Sequence, residues 1–280
     1  MKSKSICRLV VALWLLTASS PNSVAAQSRA EAVLSLSPQT EYITASEPLY
    51  VALAVENRSS ERVRFNLGLN RKQNIEFIIT GPGETVRSVS LPSGGTADGN
   101  FGLVGRVDLE PHDTYTQRLL FNEWYAFRQP GHYTVELQSN LIESAGFLSG
   151  SARFEVDVRP RDEVVLWQVC SDLVTEALSS TASGSEAATA LAYINDPVAI
   201  PFLNLLLESG EGVEDIAVEG LGRIGTREAV DVLIAYAGIS NTETRLSIAR
   251  VLSRVEGESS DAALSSRIRL ALDSMVFPGL

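Results

Sequence analysis

A chain of 280 residues, 45% hydrophobic and 20% charged, is long enough for one or two packed cores. Its formal charge of −11 repels phosphate backbones, which sets nucleic acid and anionic lipid aside as partners. Of the two cysteines, Cys7 sits in the first 26 residues, so the rest of the chain holds Cys170 alone and has no pair for an internal disulfide.

Residues 1–26 read as a secretory signal. Lys2, Lys4 and Arg8 form a basic start, and Leu9–Leu16 is an apolar run shorter than the ~20 residues a helix needs to cross a bilayer. Val24-Ala25-Ala26 presents small residues to a signal peptidase. The expectation is cleavage after Ala26 and an exported chain, periplasmic or secreted, without stable membrane insertion. The mature chain then carries 20 Lys and Arg against 34 Asp and Glu, a net charge of −14.

Residues 27–160 read as strands. Leu49, Val51, Leu53 and Val55 alternate with Tyr50, Ala52, Ala54 and Glu56, a period of two with one apolar face. Similar runs lie at 33–37, 63–67, 75–80, 85–91, 103–109, 114–121, 132–138 and 153–158. Asn57-Arg58-Ser59-Ser60, Gly81-Pro82-Gly83, Pro92–Gly95 and Pro130-Gly131 punctuate them. Short strands with regular turns predict an antiparallel sandwich.

Glu47–Asn57 resembles the second-strand signature of bacterial immunoglobulin-like domains, as do Leu109–Asp113, Trp124-Tyr125 and Pro130-Gly-His-Tyr133-Thr-Val-Glu-Leu137. The resemblance implies an immunoglobulin-like sandwich without the antibody-type cysteine pair, and a tyrosine, Tyr133, tucked against a corner. Potential sites in this half are weak. His112 and His132, the only histidines, fall near turns and do not supply the three or four ligands a metal wants. Trp124-Tyr125 reads as a core pair at a strand end, Gly94–Gly102 as a long loop, and Asn57-Arg58-Ser59 as a chance match to a glycosylation sequon.

Residues 161–280 read as helices. Arg159-Pro160-Arg161 ends the last strand, because proline cannot continue a ladder. Leu166, Val169, Cys170, Leu173, Val174 and Ala177 then share one helical face, with Cys170 as an inert buried thiol. Beyond them the sequence repeats itself. Ala187, Leu191, Ile194, Ala199 and Leu203 recur thirty residues later as Ala217, Leu221, Ile224, Ala229 and Leu233, the mark of stacked helical pairs. Ser183–Glu186 and Ser240–Glu243 have capping-box spacing, Asp196-Pro197 and Thr226 open second helices, and Gly210 and Gly238 stop them. The closing helix spans 261–275.

Residues 190–203 and 220–233 resemble the HEAT-like repeat first described in phycobilisome lyases. The resemblance implies an α-solenoid of helical pairs; it does not imply lyase activity, since the repeat occurs in many scaffolds. Gly220-Leu-Gly222-Arg-Ile-Gly225 matches G-x-G-x-x-G, but these glycines close a helix instead of following a strand, so no dinucleotide site is expected.

The fold expected is a two-domain β + α chain: an antiparallel immunoglobulin-like sandwich followed by a short α-solenoid of HEAT-like pairs. The function expected is non-catalytic, without cofactor or metal: an extracytoplasmic binding or adaptor scaffold for a protein or peptide partner. Two alternatives stay open, a protease inhibitor acting through a sandwich loop and an enzyme with a site between the domains. Second helices of such pairs line the surface used for binding, so Asn204, Leu205, Asp231 and Ile234, off the core-facing positions, are the partner-binding candidates. The sequence leaves the oligomeric state open.

Overall fold

The computed structural model describes residues 31–68, 75–89, 105–138, 147–149, 152–179 and 183–276. The expected signal segment 1–26 and the expected loop at Gly94–Gly102 lie outside them, as do the ends of two expected strands, 90–91 and 103–104.

One sheet runs β10 (Phe147–Ser149), β1 (Glu31–Pro38), β3 (Tyr50–Asn57), β8 (Thr114–Leu120). A second runs β2 (Tyr42–Thr44), β11 (Arg153–Arg159), β9 (Gly131–Leu137), β5 (Glu76–Gly81), β6 (Glu84–Val89), and β4 (Val63–Asn66) pairs with β7 (Arg106–Leu109). The period of two sets the faces: Val51, Leu53 and Val55 of β3 and Phe154, Val156 and Val158 of β11 are buried. Between the sheets Phe77 meets Phe121 at 4.9 Å and Phe121 meets Phe127 at 5.6 Å, centroid to centroid. Trp124 is buried beside them and donates its indole N–H to the Ile75 carbonyl at 3.1 Å, the core role expected of it.

The sandwich is antiparallel as expected except at two edges. β1 pairs with β10, and β2 with β11, in parallel. Both β2 and β10 are three-residue edge strands, too short to show a period in sequence. The tyrosine corner is present: the Tyr133 hydroxyl donates to the Gln129 carbonyl at 2.9 Å, and its ring lies where a Cβ on Gly81 would stand. Asn57 of the apparent sequon is fully buried. Its Nδ2 donates to the carbonyls of Glu61, Leu109 and Glu110, and its Oδ1 accepts from the backbone N–H and hydroxyl of Ser59. No glycan fits there. His112 occupies a left-handed turn position, φ 68°, and donates its backbone N–H to the Asn57 carbonyl.

The helices are α1 (Glu163–Ala177), α2 (Gly184–Ala192), α3 (Ile200–Ser209), α4 (Glu214–Ile224), α5 (Arg227–Ala237), α6 (Thr242–Glu258) and α7 (Ala262–Val276). They stack in two layers, α2-α4-α6 against α1-α3-α5-α7. Repeat positions Ala187, Leu191, Ala199 and Leu203, with Ala217, Leu221, Ala229 and Leu233, form one continuous core between the layers. Asp196 caps the 3-10 turn ahead of α3 through the Val198 N–H, and Thr226 caps α5 through Ala229. Two local readings change: Ser183 enters α2 already in helical backbone and forms no cap bond to it, and the cap of α6 is Asn241. Gly238 ends α5 as expected, in right-handed geometry. Cys170 is buried on the core face of α1, and burial pushes its thiol up to about 12, which keeps it unreactive at neutral pH.

The junction between the two halves is held by side chains. The Thr44 hydroxyl donates to the Pro160 carbonyl at 2.7 Å and accepts from the Asp162 N–H at 3.1 Å. Arg161 grips Asp196 with two guanidinium contacts, 2.6 and 2.9 Å, so the linker is tied to the start of α3. Arg161 therefore holds the Asp196 carboxyl below its ordinary value, against the opposing effect of burial. The folded chain binds this proton more weakly than the unfolded chain. The resulting stability is present above the ordinary carboxylate value of 3.8 and is lost as pH falls through the depressed folded value. Asp196→Ala removes both the cap and the ion pair and is expected to cost about 2–4 kcal/mol. Asp196→Asn keeps the cap and should flatten the acid side of the stability profile, which denaturant melts between pH 2.5 and pH 6 would show.

Candidate functional site

Because the repeat directs Ala199, Leu203, Ala229 and Leu233 inward, the next faces of α3 and α5 look out from the second layer. Between them runs a groove of about 670 Å³. Val232, Ala235 and Tyr236 of α5 and Ile239 beyond it form its apolar part. Asn204 and Glu208 of α3 face Arg227, Glu228 and Asp231 of α5 across it.

The four candidates from sequence divide here. Asn204 and Asp231 both line the groove. Asn204 donates its Nδ2 to Glu208 Oε1 at 2.8 Å, and Asp231 accepts from Arg267 of α7 at 2.5 Å. Leu205 is 48% exposed on α3, outside the groove lining. Ile234 is half-buried and packs against the helical core. Sequence reasoning missed Tyr236, Glu228 and Ile239. Tyr236 is half-buried: it packs against the helical core and also lines the groove. Burial pushes its hydroxyl pKa up, and Glu214 and Glu208 add to that. Ile239 follows the helix end, where no helical period marks it, and is 81% exposed.

A second cleft, of about 830 Å³, lies between the sandwich and the first helices. Its charges are largely engaged with one another. Arg118 lies 3.6 Å above the Tyr50 ring and 3.1 Å from Glu186 of α2, and Arg161 is bound to Asp196. Arg159 stacks on the Tyr42 ring at 3.5 Å. Burial pushes the Tyr50 hydroxyl up to about 12, and Leu120, Ala190 and Tyr193 pack beside it as a small apolar seam. This cleft is a joint between the halves. The groove is different: among the described residues the side chains of Arg227 and Glu228 make no hydrogen bond or ion pair, and Ile239 is 81% exposed. Elsewhere, His132 Nδ1 lies 2.8 Å from the Asp157 carboxylate on the sheet surface, and no metal-binding group of three or more His, Cys or acidic residues occurs among the described residues. Nor is any described helix long and apolar enough to cross a membrane.

Comparison with known proteins places these elements. No curated protein matches the chain. Among solved structures, the CARDB domain of a Pyrococcus furiosus protein is similar at 10% identity over 48% of this chain and 97% of that one, with a TM-score of 0.27. A sporulation control protein from Bacillus subtilis is similar at 9% identity over 51% of this chain and 54% of that one, TM-score 0.28. A β-glucosidase from Listeria innocua is similar at 15% identity over 47% of this chain and 16% of that one, TM-score 0.27. Residues 36–144 match the model of the flagellar collar protein C N-terminal domain, and residues 215–237, which hold the second helical pair, match the PBS lyase HEAT-like repeat. Both are scaffold or repeat modules. The chain thus joins a sandwich similar to the N-terminal domain of a flagellar collar protein to helical pairs similar to the HEAT-like repeat of PBS lyases.

Proposed function

We propose that the protein is a non-catalytic scaffold acting outside the cytoplasm, and that it binds a protein partner in the groove between α3 and α5. The observation that carries this reading is the groove itself: bare aliphatic groups and unpaired charges side by side on the second-helix layer of a repeat domain. Asn204 and Asp231 contact the partner from the walls, Leu205 from the α3 rim, and Ile234 supports the groove from below. The similarity over residues 36–144 favours an assembly of the flagellar-collar kind as its setting. The acidic surface keeps nucleic acid away. Residues 1–26 direct export, the sandwich spans 27–160 and the repeat domain 161–280. Each half has its own core, since its buried residues form separate clusters.

The variant Leu205→Asp with Ile239→Asp tests the reading. Both side chains are exposed, so the melting temperature should move by only a few degrees. Cross-linking of the full chain to its partner in the cells that make it should fall at least tenfold. Unchanged cross-linking overturns the groove. Intact-mass measurement on the same material should show a chain beginning at Gln27; cytoplasmic material retaining residues 1–26 overturns the extracytoplasmic setting.

A further inference from the structure

We propose that the segment seated in the α3–α5 groove is a basic, aliphatic helix of about three turns, which deepens the scaffold reading and rests on it. The groove is formed by two helices whose backbone groups are bonded within the helices, so it offers no open strand edge for an extended peptide to join. What it offers is the shape that an amphipathic helix fills. α5 spans 11 residues, a rise of about 16 Å, which matches about three turns of a partner. Val232 and Ala235, three residues apart on α5, and Ile239 just past its end supply the aliphatic strip.

The charge of the walls sets the sign of the partner. Glu208, Glu228 and Asp231 line the groove against Arg227 alone. Asp231 is neutralised by Arg267, whereas Glu208 has only the uncharged amide of Asn204, and Glu228 has no partner among the described residues. Glu214 lies close enough to Tyr236 to act on its hydroxyl together with Glu208. A lysine- or arginine-bearing helix face would meet these carboxylates. The net charge of −14 of the chain without residues 1–26 would speed its approach at low salt.

The test uses the purified exported protein and two labelled 14-residue helical peptides with the same leucine face, one with lysines and the other with glutamates on its polar face. By fluorescence anisotropy at 50 mM salt the lysine peptide should bind at least tenfold more tightly than the glutamate peptide. The double variant Glu208→Lys with Glu228→Lys should remove or reverse that preference. The variant Glu110→Lys with Glu136→Lys makes the same change of net charge on the sandwich surface and should leave it within twofold. Equal binding of the two peptides overturns the proposal, and so does an equal response to the sandwich variant. If either result appears while groove variants still abolish partner cross-linking in cells, the scaffold reading stands and only the basic helix falls.

Discussion

Asn57→Ala is expected to destabilise the sandwich by about 3–5 kcal/mol, the sum expected when several buried groups lose their partners at once. Asn57 sits at the end of β3, fully buried, and serves two chain segments that are far apart in sequence. Its amide bonds the Leu109 and Glu110 carbonyls on one side and the Glu61 carbonyl on the other, while its oxygen holds Ser59 in the turn. Alanine leaves these groups dry and unbonded, and no side chain nearby replaces both functions. The melting temperature of the sandwich should fall by roughly 10–20 °C, with the helical domain unaffected. Asn57→Asp is the sharper control. It keeps the shape and the bond from Ser59 but turns a buried carboxylate toward three carbonyls, so it should be at least as damaging as alanine. Separate near-ultraviolet and far-ultraviolet melts resolve which half is lost.

Gly220→Val is expected to cost the helical domain about 3 kcal/mol or more, the upper end of overpacking effects. A Cβ at Gly220 would stand 2.8 Å from the Cα of Ala192 and 2.9 Å from its Cβ, so α4 must move away from α2. At an open helical site the same loss of glycine stabilises. Gly257 of α6 has nothing within 4 Å of its added Cβ, and Gly257→Ala should gain about 0.5–1 kcal/mol from helix propensity. Opposite signs from two helical glycines distinguish close packing from propensity. Denaturant titrations of both variants, read by circular dichroism at the helical band, supply the comparison. The G-x-G-x-x-G spacing thus has a mechanical cause: Gly220 and Gly222 admit the neighbouring helices, and Gly225 ends α4 in left-handed geometry at φ 60°.

The fold was largely legible because its two periods are long and clean. β3 alternates over eight residues, and the thirty-residue repeat sets Leu191 against Leu221 and Leu203 against Leu233 with little ambiguity. What escaped was decided by pairing at the edges. Tyr42–Thr44 and Phe147–Ser149 become strands only because β11 and β1 offer them free parallel edges, information that three residues do not carry. Caps went wrong where two candidates sat side by side: Ser240 and Asn241 both suit the role, and the backbone of α6 chose Asn241. The groove was half visible. Asn204 and Asp231 follow from helical spacing, whereas Ile234 is taken up by packing against the helical core and Leu205 stands outside the groove lining. The Arg161–Asp196 grip joins residues 35 apart that no local pattern links, so the stiff junction between the halves emerges only from the structure.

A photo-crosslinking side chain introduced in place of Ala235, which is exposed in the groove, tests the central claim most directly when compared with the same side chain in place of Ser253, exposed on α6 in the opposite layer. Irradiated in the cells that make the protein, position 235 should give a discrete adduct with a protein partner and position 253 none, with both chains folded and exported alike. An adduct from position 253, with none from 235, would contradict a scaffold that works through the groove between its second helices.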